Sequence, residues 1–117
     1  MKLRTLMMAG LAAMTLWGAT GLASAADVRM FTRHEVADYA AWKVVYDSVA
    51  PLQKKGGVYF KAVYRSADNP NDLTVVHDFH SLEAAKAVAG SPDLRAAMEK
   101  GGVKGPPQIW FVTLHSK

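Results

Sequence analysis

The chain has 117 residues, enough for one small domain, and its 14 basic and 10 acidic side chains give a formal charge of +4. It contains no cysteine, which excludes disulfides, thiolate metal sites, a cysteine nucleophile and lipid attachment to a cysteine. Lys54-Lys55 is its sole basic doublet, whereas a nucleic-acid surface needs a broader cluster, so no nucleic-acid partner is expected.

Residues 1–25 have the pattern of a secretory signal peptide: a basic MKLR start, an uncharged run over 6–17, and small residues Ala23 and Ala25 at the positions a signal peptidase reads. The run is short for a membrane span, so contact with a membrane is expected only if the leader stays uncleaved. Removing it leaves 92 residues, 26–117, as a single domain. Lys2 and Arg4 leave too, so 12 basic residues face 10 acidic ones and the charge drops to +2. A periplasmic or secreted location is expected, and a domain this small without disulfides is a candidate for oligomerisation.

Residues 28–36 are rich in β-formers and predict the first strand. Asp38 is a suitable N-cap for a helix carrying Tyr39, Trp42, Val45, Tyr46, Val49 and Leu52 along one stripe. Pro51 lacks an N–H, so this helix should kink or end near Ala50, with Gly56-Gly57 closing it. Residues 58–65 and 73–80 predict a hairpin joined by the turn formers SADNPND. Ser81 caps a short helix over LEAAKAVAG, and Ser91-Pro92-Asp93 starts a second one over 94–100, ended by Gly101-Gly102. A last strand, 108–115, follows Pro106-Pro107, which favour extended backbone.

The order β-α-β-β-α-β predicts an α+β, ferredoxin-like split arrangement: a four-stranded antiparallel sheet covered on one face by helices. Alternation places Thr32 and His34, Phe60 and Tyr64, His77 and Phe79, and Trp110 on the helix-covered face. The opposite face then holds Phe31, Tyr59, Val63, Val76, Ile109 and Phe111, too apolar for water alone, which predicts a homodimer through the sheet face away from the helices.

The stretches RHEVADYAAWKVVYD, YRSADNPNDLTVV and SPDLRAAMEKGGVKGPPQIWFV resemble a small bacterial group of the dimeric α/β-barrel superfamily, described as similar to antibiotic-biosynthesis monooxygenases or cyclases. The resemblance covers nearly all of residues 26–117. It implies a ligand pocket between helices and sheet in each subunit, with the barrel interior as the dimer interface. It also implies a small-molecule ligand and a range of chemistries, because the superfamily holds cofactor-independent monooxygenases, heme-degrading enzymes, isomerases and proteins without assigned activity. Heme-degrading relatives use an Asn on the first strand and a His on the second helix; here the strand offers Thr32 and His34, and residues 82–100 contain no His. No cofactor is therefore expected.

Candidate pocket residues are Trp42, Tyr46, Phe60, Tyr64, His77, Phe79, Met98 and Trp110 for ligand binding, with His34 as the catalytic base or orienting group. His77 and His80 differ by an odd number along one strand and point to opposite faces, so HxxH is no chelate. His34 and His77 share a face, and a register setting His77 near Thr32 would put them roughly 7 to 8 Å apart. With no third ligand beside them, no metal is expected. A buried neutral imidazole suits proton abstraction from an acidic phenol or enol. Two readings stand: a monooxygenase-like or isomerase-like enzyme acting on a small aromatic or enolic substrate, and a non-catalytic envelope protein that binds a ligand or partner.

Overall fold

The computed structural model describes residues 27–117; the expected signal peptide lies outside the described residues. In chain order the elements are β1 (Val28–Val36), α1 (Tyr39–Ser48), α2 (Ala50–Lys55), β2 (Phe60–Arg65), β3 (Asp72–Phe79), α3 (Leu82–Ala89), α4 (Pro92–Lys100) and β4 (Val103–Val112). The four strands form one sheet in the order β2-β3-β1-β4, every pair antiparallel. This is the ferredoxin-like arrangement, with each helical connection broken in two.

Local chemistry sets those breaks. The Asp38 carboxylate accepts from the Ala41 N–H at 2.8 Å and starts α1. Val49 leaves helical geometry at φ −97° and ψ 9°, and Pro51, in the first turn of α2, needs no N–H partner there. Ser81 and Ser91 cap α3 and α4, each hydroxyl accepting a backbone N–H at 3.1 Å.

The core divides in two. Val36, Trp42, Tyr46, Leu73 and Val75 pack under α1, and Val28, Met30, Phe79 and Ala85 pack under α3. Two bidentate ion pairs brace β1 against β3 on the other face, Arg29 to Asp78 at 2.8 and 2.9 Å and Arg33 to Asp72 at 3.3 and 2.9 Å.

The central strands face as alternation predicts, and the edge strands do not. On β2, Lys61 pairs with His77 and Val63 with Val75, so Phe60, Ala62 and Tyr64 turn to the open face beside Val76. On β4, Trp110 pairs with Phe31 and Ile109 with Thr32, so Trp110 and Val112 are also on the open face, while Ile109 and Phe111 pack beneath α3. Phe60, Tyr64 and Trp110 are therefore not on the helix-covered side. The reason is physical: β2 and β4 carry apolar residues on both faces, so their own pattern does not select one.

β4 also starts earlier than residue 108. Gly105, at φ +70°, and Pro106-Pro107 lie within it, where the register against β1 shifts between Arg33 and Glu35. An edge strand with a bulge is where prolines are tolerated, because their missing N–H costs no ladder bond. The open face is apolar with a different membership from that expected: Phe60, Tyr64, Trp110 and Val112 are exposed, and Phe31 stacks on Trp110 at 5.2 Å.

Phe79, at 0 % exposure, is the largest fully buried side chain. Phe79→Ala is expected to lower unfolding free energy by about 3–5 kcal/mol in urea titrations, because the cavity it leaves cannot close fully.

Candidate functional site

β1 and β3 lie side by side at the centre of the sheet and turn Thr32, His34, Val75 and His77 toward α1. The α1 stripe lays Trp42 and Tyr46 across them. The rings form a line of contacts: His34 to Trp42 at 5.9 Å and tilted by 56°, then Trp42 to Tyr46 at 4.7 Å and Tyr46 to His77 at 5.9 Å, both stacked. Under it is a cavity of about 40 Å³, closed on the helical side by Val45, Val49, Ala97 and Met98. That is room for about three water-sized molecules, or for one functional group of a larger ligand.

Register corrects the expected histidine spacing. His77 lies opposite Met30 and His34 opposite Leu73, so the two stand four residues apart along the strands, roughly 13 Å between backbone positions. They flank the two ends of the Thr32–Val75 pair instead of sharing one diagonal. Trp42 and Tyr46 span the gap between them.

Both imidazoles are taken out of water, His34 at 7 % and His77 at 6 % exposure. Among the described residues, the buried side-chain polar atoms without a hydrogen-bond partner are His34 Nδ1, His34 Nε2 and His77 Nδ1. A buried polar group without a partner costs about 1–3 kcal/mol, and these three nitrogens belong to two residues that border one cavity whose surface is almost wholly apolar.

Burial lowers the basicity of His34, partly offset by the charge of Asp72. Burial pushes His77 down to about 4, helped by the Lys61 ammonium and opposed by Asp78. Burial likewise pushes the Tyr46 hydroxyl up to about 12. The Tyr46 oxygen lies 2.9 Å from His77 Nε2. At neutral pH the site therefore holds neutral imidazoles and a protonated phenol, a set that exchanges protons without carrying charge itself.

Of the residues expected from sequence, the fold brings His34, Trp42, Tyr46, His77 and Met98 to this cavity. Phe79 faces the helices but packs with Val28, Met30 and Ala85 in the neighbouring core cluster. Phe60, Tyr64 and Trp110 sit across the sheet, Tyr64 at 59 % exposure. Thr32, Val45, Val49, Val75 and Ala97 line the cavity without having been singled out, although Thr32 shares the alternation of His34.

His80 is exposed, stacked on Tyr59 at 4.1 Å with Nδ1 3.0 Å from Asp27 Oδ1. Asp78 is held by Arg29 on the open face. No group of three or more His, Cys, Asp or Glu converges among the described residues. Larger hollows exist, one of about 320 Å³ between α2, α3 and α4 and one of about 630 Å³ on the open face, but the three unpaired nitrogens belong to residues lining the small cavity.

Folding makes both histidines harder to protonate, so the unfolded chain binds more protons between the ordinary histidine value and the folded one. Stability is thus expected to be full above about pH 6.5 and to fall as pH drops toward 4, with His77 alone accounting for about 3 kcal/mol. Urea titrations between pH 7 and about 5 check this: His77→Gln should flatten the slope in that window, which lies above the carboxylate range.

No protein-family model matches the chain, and no curated protein sequence matches it. Solved structures do match in shape. SnoaB, a cofactor-independent oxygenase from Streptomyces nogalater, superposes with a TM-score of 0.65 at 14% identity, over 80% of this chain and 97% of its own. A Bordetella bronchiseptica protein, classed by name alone as an antibiotic biosynthesis monooxygenase, gives 0.67 at 18% identity, over 78% and 99% of the two chains. A Caulobacter crescentus protein classed in the same way gives 0.63 at 19% identity, over 80% and 93%. The chain thus shares the fold of these structures, a four-stranded antiparallel sheet covered on one face by helices.

Proposed function

We propose that this protein is an exported homodimer that binds a small aromatic or enolic molecule at the His34–His77 cavity and acts on it as a cofactor-independent oxygenase or isomerase. The observation that carries the reading is the placement of two buried imidazoles, with nitrogens unpaired among the described residues, beside one cavity roofed by Trp42 and Tyr46. A ligand hydroxyl or carbonyl completes them better than an apolar group does. Neutral His34 takes the proton from an acidic phenol or enol, and Trp42 and Tyr46 hold the ring face. The electron-rich anion formed is then open to dioxygen: one oxygen atom becomes a new carbonyl of the product and the other leaves as water, with the substrate itself supplying all four electrons and both hydrogens (RH2 + O2 → R=O + H2O), as when a phenol or enol becomes a quinone or dione; returning the proton to another carbon is the isomerase outcome. The likeness in shape to a named cofactor-independent oxygenase supports the first branch.

Dimerisation is read from the open sheet face, where Phe31, Phe60, Tyr64, Trp110 and Val112 form an apolar surface around the two Arg–Asp forks. A second copy packed sheet to sheet removes that surface from water. The cavity, about 40 Å³, admits a ring only as its side chains move; the alternative reading is a non-catalytic protein that binds a ligand or partner with the same fold.

Incubation of the 26–117 protein with simple hydroquinones under oxygen is expected to give turnover that falls by about 10²–10⁴-fold in His34→Ala. Absence of turnover together with a ligand-induced rise in melting temperature would select the binding-only reading; absence of both would remove the site. Sedimentation equilibrium at micromolar concentration is expected to give a dimer, and Trp110→Asp a monomer, since a charge buried at the centre of such an interface has no partner.

A further inference from the structure

The small cavity beside the histidines shares a wall with a larger hollow. Val49, at the break between α1 and α2, and Ala97, on α4, line both the cavity and the cleft of about 320 Å³ between α2, α3 and α4. Both residues are half-buried, and the side chain of Ala97 is a single methyl group. The two hollows differ in chemistry. Trp42, Tyr46 and the two imidazoles border the cavity. Among the described residues no aromatic side chain lines the cleft, whose apolar wall is aliphatic, with Leu52, Ala84, Ala87, Val88 and Leu94 beyond the shared pair. Its polar groups include one cation, Lys55, and one anion, Asp93, both exposed, so the cleft carries no net charge of its own and a neutral occupant leaves both groups in water. The volumes divide in the same way: the cavity, about 40 Å³, holds one functional group, whereas the cleft by itself reaches the lower end of the roughly 300–1,000 Å³ typical of small-molecule sites.

We propose that cavity and cleft are two compartments of one ligand site, and that its ligand carries an acidic phenol or enol oxygen on an uncharged aliphatic tail: the oxygen end enters beside His34 and His77, and the tail passes between Val49 and Ala97 into the cleft. This rests on the ligand-binding reading of the cavity given above and narrows its ligand class. Neither hollow suffices alone, because the cavity lacks the volume for a ligand body and the cleft lacks the imidazoles. Joined, they give an apolar enclosure with polar groups at one end, the usual composition of a small-molecule site. From its cap Ser91 to Ala97, α4 runs along the cleft for about 9 Å, enough to cover several methylenes. The tail gains affinity by leaving water, and a ring is the poorer occupant of a wall that offers no aromatic face to stack on. Ala97 is then a specificity-determining residue: its small side chain leaves the passage open, and a larger one closes it.

Isothermal titration calorimetry of the 26–117 protein at pH 7 with 4-methyl-, 4-ethyl-, 4-butyl- and 4-hexylphenol tests the proposal. Affinity is expected to rise roughly threefold to fourfold for each added CH₂, and the heat capacity change of binding to grow more negative along the series. Ala97→Phe is expected to remove that dependence on chain length. Ala87→Trp, at an exposed position that borders the cleft and not the cavity, is expected to lower the ratio of 4-hexylphenol to 4-methylphenol affinity by about tenfold, and it keeps the test open if Ala97→Phe does not fold. An affinity in the wild-type protein that does not change with chain length overturns the two-compartment site; if 4-methylphenol still binds and His34→Ala weakens it, the reading of the small cavity survives alone, and if no phenol binds, both fall. A chain-length gain that persists unchanged in Ala87→Trp and in folded Ala97→Phe puts the tail elsewhere on the surface and likewise overturns the proposal.

Discussion

The antiparallel pairing of β1 with β3 at the centre of the sheet determines where everything else in the site sits. It alternates Thr32 and His34 with Arg29, Phe31 and Arg33 on one strand, and Val75 and His77 with Val76 and Asp78 on the other. Inward residues meet the helices, and outward residues build the open face. The two Arg–Asp forks lie on the outer side of this same pair of strands, so the geometry of the histidines is braced from behind by charge-assisted bidentate contacts. A one-residue slip would put His34 and His77 in water and bring the arginines under Trp42, which is why the register is well determined here.

Burial governs the chemistry of the pocket more than any local charge does. It is the largest cause of the low basicity of both histidines and of the high value for Tyr46, with Asp72, Asp78 and Lys61 acting as corrections. The site can therefore accept and donate protons at neutral pH only if a ligand brings the acidity, which agrees with phenols and enols better than with ordinary alcohols. The aromatic stack over the cavity leaves little free volume, so a ligand ring displaces side chains as it enters. Val49, set between α1 and α2, and Ala97 on α4 border both this cavity and the larger cleft between α2, α3 and α4, and the break at Val49 is the natural place for that adjustment.

The sheet divides the molecule into two sides. One meets the helices and holds the buried histidines; the other carries exposed aromatic side chains. Assigning residues to these sides matters because the same aromatic side chain means different things on each. Tyr46 hydrogen-bonds His77 in the interior, whereas Tyr64 lies exposed on the outer face. Their sequence neighbourhoods do not distinguish them.

Much of this was legible in the residues themselves. The caps Asp38, Ser81 and Ser91, the turn SADNPND and the break at Pro51 are local devices whose effect depends on a few bonded neighbours, so the order of elements and the four-stranded sheet follow from the chain alone. So does the inward set on β1 and β3, and with it His34, His77, Trp42, Tyr46 and Met98. What only the tertiary structure decided is the facing of the two edge strands, the four-residue separation of the histidines and the placement of Lys61 beside the Tyr46 ring. Those depend on which strand lies beside which and in what register, a question of long-range packing that a strand apolar on both faces leaves open.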